Sequence, residues 1–122
     1  MIKIDHFYIK VTNLDKAISF YEKLLQMQIS HREKDRWADF QKSSEVYFGI
    51  LNTTVDGDSF KAGDNTTLAL KTDDIEKEHA RIKELLPKSI TEIETITQPA
   101  LYKYFQIEDE WGNVWEVAEY NY

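Results

Sequence analysis

The stretch HFYIKVTNLDKAISFYEKLL (His6–Leu25) changes its apolar period part-way along, and this change decides the fold. Up to Val11 apolar and polar side chains alternate, as they do on a half-buried strand. From Leu14 onward apolar residues recur at helical spacing, and either Thr12 or Asn13 can cap the N-terminus of that helix. The stretch therefore predicts a strand followed directly by an amphipathic helix.

The same order returns in TLALKTDDIEKEHARIKELL (Thr67–Leu86), which lies on the first stretch at an offset of 61 residues. Lys10 then meets Lys71, and both stretches end in Leu-Leu. Asp73 or Asp74 is the expected helix cap. Matching strand, cap and helix in one order indicates a duplicated unit, whose two copies must each bury a sheet face.

Three short strands are expected after each helix, because β-branched and aromatic runs are separated there by turn residues. The predicted strands are Met27–Glu33, Trp37–Gln41 and Val46–Leu51, then Ile90–Thr97, Tyr102–Ile107 and Asn113–Tyr120. Residues 52–65 read as a polar loop, Pro99 separates two of the strands, and Asp109–Gly112 reads as a turn. The chain is thus predicted to be one α+β domain of two βαβββ repeats, at about residues 1–54 and 65–122.

Composition limits the classes of function. With 122 residues, 42% hydrophobic and 13% aromatic, the sequence fits a globular protein, and it has neither an apolar run long enough to span a membrane nor the basic-then-apolar start of a signal peptide. The absence of cysteine excludes disulfides and a cysteine nucleophile, and fits the cytoplasm. A net charge of −7 argues against nucleic acid and favours a cationic small molecule.

The segment DEWGNVWEVAEY (Asp109–Tyr120) contains a carboxylate where a strand is expected. Alternation places Glu116 on one face of that strand and its neighbours Trp115 and Val117 on the other. Because an ionised group is costly to bury without a partner, Glu116 must face either water or the interior of a cavity.

The opening DHFYIKVTNLDKAISFYEKLL and the closing IEDEWGNVWEV together resemble the vicinal oxygen chelate superfamily, over nearly the whole chain. This superfamily holds glyoxalase I, extradiol dioxygenases, fosfomycin-resistance enzymes and bleomycin-resistance proteins. The resemblance rests on the order of three pieces: a histidine near the start of the first strand, the FY..LL helix, and D..GN..E before the last strand. The usual proline after the turn aspartate is Glu110 here.

The resemblance implies a mixed sheet that curls around a cup-shaped cavity, with the helices on its outer face. Metal-binding members place ligands at positions that correspond to His6, Gly49, Thr67 and Glu116. Only His6 and Glu116 carry typical ligand groups, whereas a catalytic divalent metal needs about three firm protein ligands. We therefore expect no tightly bound metal or other cofactor; if a metal does bind, His6 and Glu116 are its expected ligands.

Strand parity extends the predicted lining of this cavity. If Gly49 points into the cavity, Tyr47 and Leu51 do so as well, because alternate residues of a strand share a face. On the strand before Glu116, Tyr104 and Gln106 would face the cavity, and the residues that alternate with them would belong to the core. The predicted ligand pocket consists of His6, Trp37, Tyr47, Gly49, Thr67, Tyr104, Gln106 and Glu116. The competing interpretation of His6 is an ordinary strand histidine that is hydrogen-bonded within its sheet.

Three functions follow from these observations. The first is a protein of the glyoxalase/bleomycin-resistance type that binds an organic small molecule, cationic or aromatic, in an aromatic cup. The second is a divalent-metal-dependent lyase, isomerase or dioxygenase of the same superfamily. The third is a non-catalytic interaction protein that acts as a homodimer. The resemblance predicts either one self-contained cup or a dimer with cups built across the interface; a homodimer is the expected assembly.

Overall fold

The computed structural model describes residues 1–41, 45–63, 66–98 and 101–120. The chain forms two compact units, Met1–Lys61 and Ala62–Tyr122, which we call module 1 and module 2. Each has the predicted βαβββ order. The elements are β1 (His6–Val11), α1 (Leu14–Leu25), β2 (His31–Glu33), β3 (Trp37–Phe40), β4 (Tyr47–Asn52), β5 (Leu68–Lys71), α2 (Ile75–Leu85), β6 (Glu94–Ile96), β7 (Tyr102–Glu108) and β8 (Val114–Tyr120).

The sheet of module 1 has the strand order β1-β4-β3-β2. Strands β1 and β4 run parallel, and the other neighbouring pairs are antiparallel. The parallel pair is possible because the connection between these strands carries a helix, which can cross over one face of the sheet. The result is a mixed four-stranded sheet.

Helix α1 begins where its sequence pattern predicts. Of the two candidate caps, Asn13 is the residue used: its side-chain oxygen accepts a hydrogen bond from the Lys16 N–H at 3.0 Å. The helix ends at Leu25, and its C-cap, Gln26, adopts a left-handed conformation with φ of 55°. Its buried stripe packs against the sheet, with the Tyr21 and Phe48 rings 5.2 Å apart. The buried residues of α1 are Leu14, Ala17, Ile18, Tyr21 and Leu24.

Strand β2 is shorter than the predicted Met27–Glu33, since it begins only at His31. The intervening backbone is bound to the end of α1 instead. The Met27 N–H donates to the Glu22 carbonyl at 3.2 Å, and the Ile29 N–H donates to the Glu22 carboxylate at 3.1 Å. These local bonds satisfy N–H groups that a longer strand would have used in the sheet.

Module 2 repeats the topology, with the strand order β5-β8-β7-β6 and a parallel β5–β8 pair. Helix α2 is capped by Asp74, which accepts a hydrogen bond from the Lys77 N–H at 3.2 Å. A carboxylate oxygen of Glu119, on β8, accepts the Ile75 N–H at 2.9 Å, so the last strand also holds the start of the helix. The His79 ring meets Phe105 edge-on at 4.9 Å, which places α2 against the Phe105 side of the sheet.

Strand β6 is also shorter than predicted, because Ile90–Thr97 contributes only Glu94–Ile96 to the sheet. Ile90 forms an isolated bridge with Ile107. The predicted break at Pro99 lies outside the described residues.

The turn predicted at Asp109–Gly112 is present and is organised by the Asp109 side chain. One of its carboxylate oxygens accepts the N–H groups of Trp111 at 2.9 Å and Asn113 at 2.8 Å, and the other accepts the Asn113 side-chain amide at 2.9 Å. Gly112 has φ of 85°, a left-handed conformation that favours glycine. The turn therefore fixes where β8 begins.

Across the described parts of the chain, no helix combines the length and the apolar character needed to cross a membrane.

Candidate functional site

One face of the module 1 sheet collects most of the first-repeat residues that the sequence singles out. Strand register pairs His6 with Tyr47, and Gly49 with both Tyr8 and Asp39. Paired residues share a face, and this face lies opposite the one that packs on α1. We call it the His6 face; its members are His6, Tyr8, Lys10, His31, Glu33, Trp37, Asp39, Tyr47, Gly49 and Leu51.

Four rings form a continuous cluster on the His6 face. The imidazole of His6 stacks on Tyr47 with ring centroids 4.6 Å apart and 12° between the planes. The indole of Trp37 meets His6 edge-on at 5.6 Å, and it meets Tyr8 at 5.5 Å. Such a cluster offers flat π surfaces that can stack on an aromatic group or attract a cation.

The cluster depends on the absence of a side chain at Gly49. A Cβ atom built there would lie 2.3 Å from Cη2 and 2.5 Å from Cζ2 of Trp37. Carbon atoms do not approach so closely without displacement, so the indole of Trp37 occupies the space that a side chain at position 49 would need. The position that the resemblance gives to a ligand is therefore covered by a tryptophan ring.

The His6 face also contains a buried carboxylate, Asp39, which the sequence analysis did not select. Its side chain is 2% exposed. Oδ2 accepts a hydrogen bond from Nε1 of Trp37 at 2.9 Å and lies 3.5 Å from Nδ1 of His31. Oδ1 is buried and has no hydrogen-bond partner among the described residues. The available signal was a charged residue in the middle of the otherwise apolar strand WADF, which is the same pattern that marked Glu116.

Negative charge surrounds the rings at one end of the cluster. Nδ1 of His6 lies 2.6 Å from Oδ2 of Asp5, so a carboxylate holds one nitrogen of the imidazole. The pKa of Tyr47 is raised above its ordinary value, first because burial disfavours the phenolate, then because Asp5 and Asp39 are negative and Asp5 hydrogen-bonds its hydroxyl. The surroundings of Tyr47 thus disfavour a further negative charge at this end of the cluster.

The second-repeat residues lie on one face of the module 2 sheet. Register places Glu116 between Ala69 on β5 and Gln106 on β7, and Tyr104 follows on the same side. Glu116 is half-buried there, whereas Trp115 and Val117 are buried on the opposite face. Thr67 precedes β5 and is exposed. We call this the Glu116 face; its members are Ala69, Lys71, Glu94, Ile96, Tyr102, Tyr104, Gln106, Glu108, Val114, Glu116, Ala118 and Tyr120.

Tyrosines and carboxylates are neighbours on the Glu116 face as well. The Tyr104 hydroxyl donates to Glu94 at 2.9 Å, and this bond is the first cause of its raised pKa; the negative charges of Glu94 and Glu116 contribute further. The ring of Tyr102 lies 6.0 Å from Tyr104 and 5.6 Å from Tyr120. Gln106 also borders a pocket of about 360 Å³ that it shares with the segment around Lys88–Thr91.

The chain matches a known protein family over almost its entire length. The model of the Glyoxalase/Bleomycin resistance protein/Dioxygenase superfamily covers residues 3–117. The chain belongs to this superfamily. No curated protein is significantly similar to the chain in sequence.

Solved structures of other members of this superfamily share the fold at low sequence identity. The fosfomycin resistance protein FosX of Listeria monocytogenes is 16% identical with a TM-score of 0.74, over 98% of this chain and 93% of that one. A glyoxalase/bleomycin resistance protein of Albidiferax ferrireducens T118 is 18% identical with a TM-score of 0.74, over 94% and 97%. Lactoylglutathione lyase of Agrobacterium tumefaciens is 17% identical with a TM-score of 0.69, over 96% and 92%.

The metal that some members of the superfamily use does not fit the side chains described. Across residues 1–41, 45–63, 66–98 and 101–120, no three histidine, aspartate or glutamate side chains group closely enough to hold a metal ion. Gly49 has no donor side chain and lies beneath the Trp37 ring. Two of the four positions that the resemblance gives to ligands, Gly49 and Thr67, therefore offer no typical metal-binding group.

Proposed function

We propose that the protein binds an organic small molecule with a flat, unsaturated part on the His6 face of module 1. The observation that carries this proposal is the four-ring cluster of His6, Tyr8, Trp37 and Tyr47. An aromatic ligand can stack on these rings and remove both partners' apolar surface from water. A metal is not part of the proposal, because the donor set described above does not suit one.

The exposure of the rings favours a ligand over a purely structural role. His6, Trp37 and Tyr47 are half-buried and Tyr8 is 48% exposed, whereas most apolar residues on the opposite face of the same sheet are buried, among them Ile9, Phe40, Phe48 and Ile50. Rings that served only to fill a core would be covered in the same way. Relatives named as fosfomycin resistance protein and lactoylglutathione lyase support a small molecule as the class of ligand.

The other predicted features remain predictions. His6 and Glu116 are predicted to line one cavity, and the chain is predicted to form a homodimer. The binding proposal depends on neither, because its four rings belong to module 1.

The test is a screen of aromatic metabolites and drug-like compounds by thermal shift, followed by tryptophan fluorescence titration of the hits. Binding on the His6 face should change the fluorescence of Trp37, and this change should disappear in Trp37→Phe. The matched control is Trp111→Phe, which removes an indole at the turn before β8 and should leave the change intact. Tyr8→Ala should weaken binding by about tenfold, since one stacking surface is lost.

A hit whose affinity is unchanged in both Trp37→Phe and Tyr8→Ala would bind elsewhere and would contradict the proposal. Failure of every compound to shift the melting temperature would contradict it as well.

A further inference from the structure

We propose that Asp39 is a charged subsite on the His6 face, and that the ligand carries an ammonium or amidinium group that donates a hydrogen bond to it. This inference rests on the proposed function, since it names the chemistry of the molecule that the ring cluster holds. It adds a recognition residue that neither the strand parity nor the superfamily resemblance identifies.

The first support is the incomplete bonding of a buried carboxylate. Asp39 is 2% exposed, yet only Oδ2 has partners among the described side chains, namely Trp37 and, more distantly, His31. A buried ionised oxygen without a donor is costly, and native proteins seldom keep one without a role. A cationic N–H donor from a ligand would supply the missing bond and would compensate the charge.

The second support is the surroundings of the carboxylate. The indole of Trp37 touches Asp39 and belongs to a cluster whose ring faces attract cations. Glu33 on the same face and Asp5 beside His6 add further negative charge. The basic residues on this face are His6, Lys10 and His31; Asp5 binds His6, and His31 approaches Oδ2 rather than Oδ1. An organic cation therefore complements this face better than an anion does.

The inference also requires that the ligand can reach the carboxylate. Because Oδ1 is covered, a neighbouring side chain must move before a donor can approach it. Trp37 is the half-buried side chain that binds Oδ2 and lies over Gly49, and we infer that this indole moves. Binding should therefore alter the fluorescence of Trp37 more for a donor cation than for a neutral ring of the same size.

The experiment compares three probes that share one ring: benzylamine, benzyltrimethylammonium and benzyl alcohol. The wild-type protein should bind benzylamine at least about tenfold more tightly than benzyl alcohol, because only the amine brings a charged donor. It should also prefer benzylamine over benzyltrimethylammonium, which keeps the charge and the ring but has no N–H group. Asp39→Asn should abolish both preferences and leave the affinity for benzyl alcohol unchanged.

The matched control is Asp58→Asn, which removes the same charge from an exposed loop residue outside the His6 face and should preserve the preferences. Equal loss in both variants would overturn the inference, since net charge would then explain the effect. Equal or tighter binding of benzyltrimethylammonium by the wild type would overturn it without any variant, so the test holds even if Asp39→Asn fails to fold. If benzylamine and benzyl alcohol bind equally, only the inference fails; if no probe binds, the proposed function fails with it.

Discussion

The two modules share a topology but place their carboxylates on different strands. In module 1 the central-strand residue Gly49 lies between Tyr8 and Asp39, so the acid is on the neighbouring strand β3. In module 2 the acid Glu116 is itself on the central strand β8, between Ala69 and Gln106. At the corresponding level of the corresponding face, each sheet thus has one carboxylate, which is on β3 in module 1 and on β8 in module 2.

This displacement changes the environment of the acid. Because Gly49 has no side chain, the indole of Trp37 lies over it and binds Asp39, which is buried. The residue of β7 that corresponds to Trp37 by register is Tyr104, whose hydroxyl binds Glu94 instead, and Glu116 remains half-buried. The two modules therefore place a carboxylate on the corresponding sheet face from different strands, one acid buried and the other half-buried.

The largest expected effect concerns the part of module 2 that holds its central strand. Asp109→Ala removes the acceptor of three hydrogen bonds at the start of β8, and should lower the free energy of unfolding by about 3 kcal/mol. Urea denaturation measures the loss. The adjacent, exposed Glu108→Ala is the control and should change stability by less than about 0.5 kcal/mol. Similar losses in both variants would show that the Asp109 bonds do not hold the turn.

A smaller effect is expected where module 1 depends on the absence of a side chain. Gly49→Val should cost about 2 kcal/mol, because its side chain collides with the Trp37 ring. In a Trp37→Ala background the same substitution should cost little, and a double-mutant cycle measures this coupling. At the corresponding position of module 2, Glu116→Ala should be nearly neutral. Equal cost of Gly49→Val in both backgrounds would contradict the observed packing.

The smallest effect concerns the pKa values of Tyr47 and Tyr104, both of which are raised above 10.0. Glu94→Gln should lower the pKa of Tyr104 toward that value, since the bond to Glu94 is its first cause, and should leave Tyr47 unchanged, since burial is the first cause there. NMR titration of the tyrosine ring carbons measures both. A fall in the pKa of Tyr47 in the same variant would contradict the assignment.

The sign of the accompanying stability effect follows from linkage. Both tyrosines keep their protons to higher pH in the folded protein than in the unfolded chain, so their contribution to stability is complete below pH 10.0 and is lost as the pH rises through the folded-state values. In Glu94→Gln the part of this alkaline loss that belongs to Tyr104 should be smaller.

The helices and the sheet faces could be predicted from sequence because each depends on a local period. The side chains of Asn13 and Asp74 cap their helices by accepting a hydrogen bond from the backbone N–H group three residues later in the chain. The lengths of the edge strands could not be predicted in the same way. Strand β2 begins late because Glu22, on the preceding helix, binds the backbone of Ile29, and the pattern of apolar residues contains no sign of that bond.

The candidate site was only partly predictable for a related reason. Alternation is enough to put Tyr47 and Gly49 on one face, since it needs nothing beyond strand parity. It does not reveal that the indole of Trp37 crosses to cover Gly49, because the direction of a long side chain is set by packing between strands. For the same reason the importance of Asp39 emerges only when its bond to that indole is known.

The position of β8 in its sheet has a consequence for the order in which the protein folds during synthesis. β8 is the last strand of module 2 in the chain, yet it lies between β5 and β7, and β5 has no other strand partner in the described part of the module. Module 1 has its central strand β4 complete by Asn52. Domains made earlier on the ribosome fold first, and distant pairings form late. Module 1 should therefore fold during synthesis before module 2, because the sheet of module 2 is completed only after Tyr120, the end of β8, has left the ribosome.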